Sequence, residues 1–413
     1  MKLFNKTLLA VAVTLASSQA MAAGFQLNSQ SATGLGRAFS GDAVIADNAT
    51  VMARNSAAMA LFDTTAISLG VTYIDTDVTL KDASLTYLTN TGYQSVDLPN
   101  VSDIGGATPV PNIFIVHPIN DEWAIGFGAY SNFGTTTEYP DNFAADIFGG
   151  TTKVRSANLQ GSVSYRINDN FSIGAGLDIV LGTGELYREF KGAGMGPNAP
   201  ALDVEAEGYG LGWNIGAVYE VNDNHRFGLS YRYSPTIKAD GDFIYQGQAA
   251  ADDTLHLPLP SIAEFSGYHK LTSQFAVHYS AQFIQWSNFD TLDTDAFGTI
   301  KEYNWRNTWH FSVGGTYDIN DTWTVRAGYM YDMGAVDEIQ SIAIPDSDRQ
   351  WFSTGVTYSL SEHSDLDFGL TYLMGEDVDV TESQYLGPLP VATVNGTTRA
   401  NAWMYGIQYS YKF

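Results

Sequence analysis

In the last stretch of the chain, Trp403, Tyr405, Ile407, Tyr409, Tyr411 and Phe413 fall on one side, and Met404, Gly406, Gln408, Ser410 and Lys412 on the other. A period of two is the pattern of a β-strand whose faces meet different surroundings. It recurs where Leu211, Trp213, Ile215, Ala217, Tyr219 and Val221 oppose Gly212, Asn214, Gly216 and Glu220. It recurs again where Phe227, Leu229, Tyr231 and Tyr233 oppose Arg226, Ser230 and Arg232. Charges keep to one face. Runs at 275–283, 323–331, 352–360 and 366–372 read alike. Strands of about ten to fifteen residues with aromatic ends have the length and trim of strands that cross a bilayer, aromatic side to lipid and polar side to a lumen. A large soluble all-β domain would instead turn its charged face outward, and it would seldom end strand after strand in Trp and Tyr.

Four short stretches join such runs: Ile119-Asn120-Asp121-Glu122-Trp123, Ile167-Asn168-Asp169-Asn170-Phe171, Val221-Asn222-Asp223-Asn224-His225 and Ile319-Asn320-Asp321-Thr322-Trp323. Asn and Asp bond to their own backbone and tolerate positive φ, so each stretch predicts a tight hairpin turn. Counting runs gives roughly fourteen strands, an even number as in bacterial barrels. They are predicted near 66–79, 108–118, 123–133, 153–166, 170–188, 207–221, 225–239, 256–270, 273–287, 303–318, 322–332, 349–360, 365–376 and 399–413. Long connections near 80–107, 134–152, 189–206, 240–255, 288–302, 333–348 and 377–398 alternate with the short turns, which places the long ones outside and the short ones in the periplasm. After the N-terminus every apolar stretch breaks well short of the roughly 18 residues of a spanning helix. In lipid every backbone group needs an internal partner, so the remaining membrane solution is a closed sheet without edges. The fold class expected is all-β, a transmembrane antiparallel β-barrel over residues 65–413.

Lys2 and Lys6, the apolar run Leu8 to Leu15, and Ala20-Met21-Ala22 read as an export signal over residues 1–22. Removing it takes away two lysines and moves the formal charge from -25 to -27. The absence of Cys is compatible with export without being evidence for it. Residues 23–64 lack alternation yet carry Phe25, Leu27, Leu35, Phe39, Ile45, Met52, Met59, Leu61 and Phe62. So many apolar residues do not suit a disordered tail, and a barrel of this size leaves a lumen to fill. A plug, or hatch, is predicted there.

Much of the acidic excess lies in the long connections, at Asp240, Asp242, Asp252, Asp253, Asp290, Asp293, Asp295, Glu376, Asp377 and Asp379. That is a solvated outer face, which argues against nucleic acid as a partner and stands where outer-membrane lipid and lipopolysaccharide would be its neighbours. Seven scattered His have no metal-ligand spacing, and no Gly-x-Ser-x-Gly elbow occurs. No catalytic residue, metal or cofactor is expected. Two other classes compete, a hydrolase on the barrel wall and a general porin; ester hydrolysis would favour the first, and the plug speaks against the second.

The run AGFQLNSQSATGLGRAFSG at 23–41 resembles the mature N-terminus of the FadL family of outer-membrane long-chain fatty acid transporters. Ala46-Asp47, Arg54-Asn55, Val110-Pro111-Asn112, Pro118-Ile119-Asn120-Asp121, Ser131-Asn132-Phe133-Gly134 and Ile344-Pro345-Asp346-Ser347-Asp348-Arg349 are similar to that family too. The resemblance implies a fourteen-stranded barrel with an N-terminal hatch that takes up long-chain fatty acids or other hydrophobic small molecules. Ligand would be caught among outer loops, held above the hatch and released sideways where the third strand kinks. Uncharged aromatic hydrocarbons, which some relatives carry, are the alternative cargo. By the same resemblance Phe133 and Gly134 mark the kink. Asn55, Ser56 and Ala57 stand where the family has Asn-Pro-Ala, and the missing Pro removes a rigid turn. Arg188, Lys301 and Glu302 match pocket residues that would meet a carboxylate head group. Other inward arginines, Arg226, Arg232 and Arg326, are predicted to pair with acids across the lumen. No Gly-x-x-x-x-Gly-Lys-Ser/Thr stretch is present, so transport would be diffusion down a gradient by an outer-membrane monomer.

Overall fold

In a computed structural model, residues 24–190, 200–337 and 339–413 are described; the export signal expected over 1–22 lies outside the described residues. Fourteen antiparallel strands form the wall. The first five are Ala66–Thr89, Ala107–Pro118, a third in two pieces (Trp123–Tyr130 and Gly134–Glu138), Thr151–Asn168 and Phe171–Glu189. Then come Pro200–Asn222, a seventh (His225–Tyr233, then Thr236–Tyr245), an eighth (Gln248–Pro258, then Ile262–Lys270) and Phe275–Ile284. Thr308–Asp318, Trp323–Asp332, Arg349–Ser361, Ser364–Gly375 and Leu389–Lys412 complete the ring. Closure is direct: Ile67 of the first strand lies opposite Ile115 of the second and Tyr411 of the last. The sheet therefore has no edge, and no helix among the described residues is long and apolar enough to cross a membrane.

The four Asn turns work as their chemistry predicts. Asn120 Oδ1 accepts from the backbone N–H of Glu122 at 2.9 Å and of Trp123 at 2.9 Å. Asn168, Asn222 and Asn320 accept in the same way from Asn170, Asn224 and Thr322, each at 2.9 Å. Leu177, Phe127, Leu211 and Leu229 stand exposed on the outer surface, while Gln160, Asp178, Asn214 and Arg232 are buried inward. Alternation thus separates a lipid face from a polar interior.

Several strands run farther outward than their pattern suggests. The first reaches Thr89 rather than 79, the sixth starts at Pro200 rather than 207, and the last at Leu389 rather than 399. The expected loop at 80–107 holds the strand Gly92–Asp97, and that at 377–398 holds Val378–Leu386. Above the bilayer both faces are wet, so alternation fades while backbone pairing continues. The tenth strand starts late, at Thr308, because Tyr303 and Trp305 turn into the interior.

Residues 24–62 fill the lumen. Ala32–Leu35 is a short helix capped by Ser31, and 3-10 turns at Ala49–Ala53 and Ser56–Leu61 are capped by Asn48 and Asn55. Inward charges hold the segment. Arg37 donates to Asp42 and Asp47, both at 2.7 Å, and Arg54 Nη1 lies 3.4 Å from Glu264. Of the other inward arginines, Arg232 pairs with Asp178 at 2.6 Å. Arg326 donates to Thr357 and lies 3.8 Å from Asp47 of the plug, an acid across the lumen as expected, whereas Arg226 donates to the Ile45 carbonyl. The plug carries partners that the sequence pattern of the wall does not reveal.

Backbone meets backbone where the wall has glycine. A Cβ on Gly216 would fall 1.9 Å from Asn55 Oδ1, and one on Gly174 2.3 Å from the Ala57 nitrogen. Overpacking of this kind costs about 1–3 kcal/mol. Gly216→Leu should therefore leave a heat-modifiable barrel while unseating the plug, read as faster cleavage at Arg54 and faster liposome swelling with small sugars; unchanged swelling would contradict the docking role of this glycine.

Candidate functional site

A cavity of about 370 Å³ opens at the outer end of the barrel. Even-numbered residues of the fifth strand face inward there, which brings Leu186 and Arg188 to its wall; Ile300, Lys301 and Tyr303 approach from the connection after the ninth strand. Phe148, Leu202 and Leu386 add apolar surface. Two cations thus stand beside greasy walls, the arrangement that suits an amphiphile. Arg188 is 8% exposed, and its guanidinium donates to the Thr151 carbonyl at 2.5 Å, the Tyr187 carbonyl at 2.7 Å and Thr152 Oγ1 at 2.6 Å. None of these acceptors is charged. Lys301 is ion-paired with Glu382, whose other oxygen accepts from the Ile342 N–H at 3.2 Å.

Glu302 is placed differently from its expected role. It pairs with Thr291, is exposed and does not line the cavity; the acid beside Lys301 is Glu382. A larger recess of about 550 Å³ lies on the outer surface between Lys153, Arg155, Glu185, Glu205 and Asp242, and its charged lining does not suit an apolar guest.

Below the first cavity the lumen is apolar. Leu202 and Ile300 pack against a buried cluster that includes Val204, Ile237, Phe243, Leu257 and Trp305, and the cluster ends at Phe25 and Phe133. Phe25 sits in an aromatic cage with ring centroids 4.9 Å from Trp286, 4.9 Å from Phe289 and 6.0 Å from Phe133. One anion fixes the start of this segment. Asp346 Oδ1 accepts from the Gly24 N–H at 3.0 Å and from Arg349 at 3.0 Å, while Oδ2 accepts from the Ala335 and Val336 N–H groups at 2.5 and 3.0 Å. Burial pushes the Asp346 carboxyl above its usual range, against the pull of Arg349.

The cluster ends at the third strand, whose pairing with the fourth is broken between Tyr130 and Gly134. Tyr130 is the last third-strand residue paired with the fourth strand before the break, opposite Asn158; pairing resumes with Gly134 opposite Arg155. On the other side the last rung with the second strand is Ala129 opposite Ile113. Beyond it the second and third strands part. The freed groups turn to the plug: the Leu27 N–H donates to the Asn132 carbonyl at 2.6 Å and the Gly134 N–H to the Phe25 carbonyl at 2.8 Å. Phe133 is 1% exposed and bridges Gln26. Gly134 therefore begins the resumed strand, and the break itself covers Ser131, Asn132 and Phe133.

Asn55, Ser56 and Ala57 lie at the floor of the lumen. Asn55 Oδ1 accepts from the Ala57 N–H at 3.0 Å, and Asn55 Nδ2 donates to the Ala43 and Ala217 carbonyls at 2.9 and 3.1 Å. Ser56 Oγ donates to Asn214 Oδ1 at 2.5 Å and lies within hydrogen-bond distance of Ser162 Oγ at 2.9 Å. The rigidity that Pro would give is replaced by bonds to the wall. Sequence reasoning gave no site role to Phe25, Trp286, Glu382 and Asp346, although Phe25 and Asp346 stood in stretches that had been singled out.

A family model described as outer membrane protein transport protein (OMPP1/FadL/TodX) matches residues 13–413. The chain belongs to the FadL family. The long-chain fatty acid transport protein of Escherichia coli O6:H1 is 35% identical over 454 residues, covering 100% of this chain and 99% of the relative. Outer membrane protein P1 of Haemophilus influenzae Rd is 34% identical over 468 residues, covering 100% of both. Among solved structures, a Pseudomonas aeruginosa FadL homologue superposes with a TM-score of 0.83 at 24% identity, over 95% of this chain and 100% of the other. The Pseudomonas putida toluene transporter TodX superposes with a TM-score of 0.64 at 16% identity, over 89% and 94%, a likeness of fold alone. This FadL-family chain is an outer-membrane transporter of hydrophobic compounds and not an enzyme.

Glu382→Gln should release Lys301 and improve binding of a carboxylate probe such as oleate in the outer cavity by a few fold, about the strength of a partly exposed ion pair. Equal gains for oleate and for the matching alcohol would show that charge is not the cause.

Proposed function

We propose that this chain carries long-chain fatty acids passively across the outer leaflet. The acid enters the outer cavity, where Arg188 supplies a cation whose own partners are uncharged and Lys301 a second one shared with Glu382. Its tail moves into the apolar cluster beneath, which keeps hydrocarbon out of water at every stage. It leaves sideways past Phe25 and Phe133 through the break at Ser131–Phe133, directly into lipid. The observation that carries this reading is the continuity of apolar lining from a cation-bearing mouth to that break. Displacement of Phe25 is the opening step, with the Gly24 bond to Asp346 as its catch. Asn55, Ser56 and Ala57, tied to the wall by side-chain bonds, hold the floor closed meanwhile.

Fatty acid is favoured over the uncharged aromatic alternative by the two cations and by relatives matched over their full length that are named for fatty acid transport. Competition between oleate and toluene for the purified protein tests the cargo. Arg188→Ala should weaken oleate by about 1.5–3 kcal/mol, the worth of a charged hydrogen bond, and leave toluene unaffected. Equal loss for both ligands would remove Arg188 as the head-group site. The route has its own test: Ser131→Trp, which places an indole in the break, should preserve oleate binding and abolish uptake in cells where the protein is inserted. Normal uptake by that variant would send the ligand elsewhere.

A further inference from the structure

The break in the third strand is lined by polar atoms that have no partner. Ser131 Oγ, Asn132 Nδ2, Thr135 Oγ1, Asn158 Oδ1, Asn112 Oδ1 and Ser29 Oγ are all buried and unbonded, on residues at most 5% exposed. Their other atoms are used: Asn112 Nδ2 donates to the Ser29 carbonyl at 3.2 Å, and Asn132 Oδ1 accepts from Gln30 at 2.9 Å. The register gathers them at one place. Asn112 is the first second-strand residue beyond the last rung with the third, Ser131 and Asn132 form the break, and Asn158 faces the last paired residue, Tyr130. A buried polar group left unbonded is costly, and such groups persist where something other than the folded chain uses them.

Height along the wall sharpens this. On the outer surface beside Tyr130 and Asn158 stand Leu159, Ile179 and Leu211, and the next outward rung, Ala157, Leu181 and Tyr209, still belongs to the apolar band. Four residues higher, at the level of Gly134, the outward positions become Arg155, Thr183 and Glu207. The break therefore straddles the boundary between hydrocarbon and head-group levels, where the polar end of an amphiphile comes to rest.

We propose that this break is a head-group station, which takes the carboxyl or hydroxyl of an amphiphile as it crosses the wall and so passes a fatty acid faster than the hydrocarbon of equal length. The set offers donors (Ser131, Thr135, Asn132) and acceptors (Asn112, Asn158) to a group that both donates and accepts. The proposal rests on the lateral route above.

The test is uptake of stearic acid, octadecanol and octadecane into vesicles carrying the purified protein. Ser131→Ala with Thr135→Val removes two hydroxyls that bond to nothing in the chain, so thermal stability should hold or rise. Passage of the acid and the alcohol should fall roughly tenfold, the factor expected for lost hydrogen bonds, with octadecane unchanged or faster. Equal slowing of all three, or of none, overturns the station. Ser131→Trp, measured alongside, reports on the route: if it leaves all three unaffected, the lateral exit fails and not merely its head-group preference.

Discussion

Between Tyr130 and Gly134 the third strand gives up its neighbour, and in a membrane such groups have no water to turn to. Phe25 and Leu27 supply the missing partners from inside the barrel. The N-terminal segment is thus part of the wall as well as a stopper within it. Because this segment completes the ladder and its Phe25 also ends the apolar cluster, the incomplete stretch of sheet and the end of the apolar lining lie at one place. A barrel with fourteen unbroken strands would need no such segment.

The plug packs on the wall through apolar side chains and carries buried charge among them. Arg37 with Asp42 and Asp47, and Arg54 with Glu264, lie in an interior where removing one partner of a buried pair costs about 3–5 kcal/mol. Such pairs add little net stability against apolar packing; Arg37, Asp42 and Asp47 brace the plug internally, and Arg54 with Glu264 of the wall fixes its register, since a shifted plug would leave those two charges unmatched. The outer cavity is built on the opposite principle, with an arginine lacking a carboxylate among its bonded partners and a lysine sharing its own. At one end of the lumen arginines meet carboxylates; at the other, Arg188 donates to uncharged acceptors.

Within the bilayer nearly everything was legible in the sequence, because lipid on one side and water on the other force a period of two; Trp403 to Phe413 could scarcely be read otherwise. The Asn turns were legible because their bonds are local. Legibility failed where long-range partners decide. Glu382 lies 81 residues from Lys301 in sequence, and no spacing announces their pairing. Glu302 was assigned by likeness beside Lys301, yet a register irregularity between Leu292 and Asp293 in this hairpin accompanies its turn outward. The extended ends of the first, sixth and last strands escaped for a simpler reason: with both faces wet, pleating leaves no imprint on composition.

The bond from Gly24 to Asp346 spans 322 residues. The seat that receives the start of the chain is made by Trp286, Trp305 and Asp346, which are synthesised long after it and brought together only when the late strands assemble. Contacts between such distant parts form slowly, because a long loop must close before any of them is gained. The segment that seals the barrel is therefore the first to emerge in synthesis and among the last to find its place. Until it does, the incomplete strand stands open, so the newly inserted molecule passes through a leaky stage whose length is set by the docking of about forty residues rather than by the folding of the sheet around them.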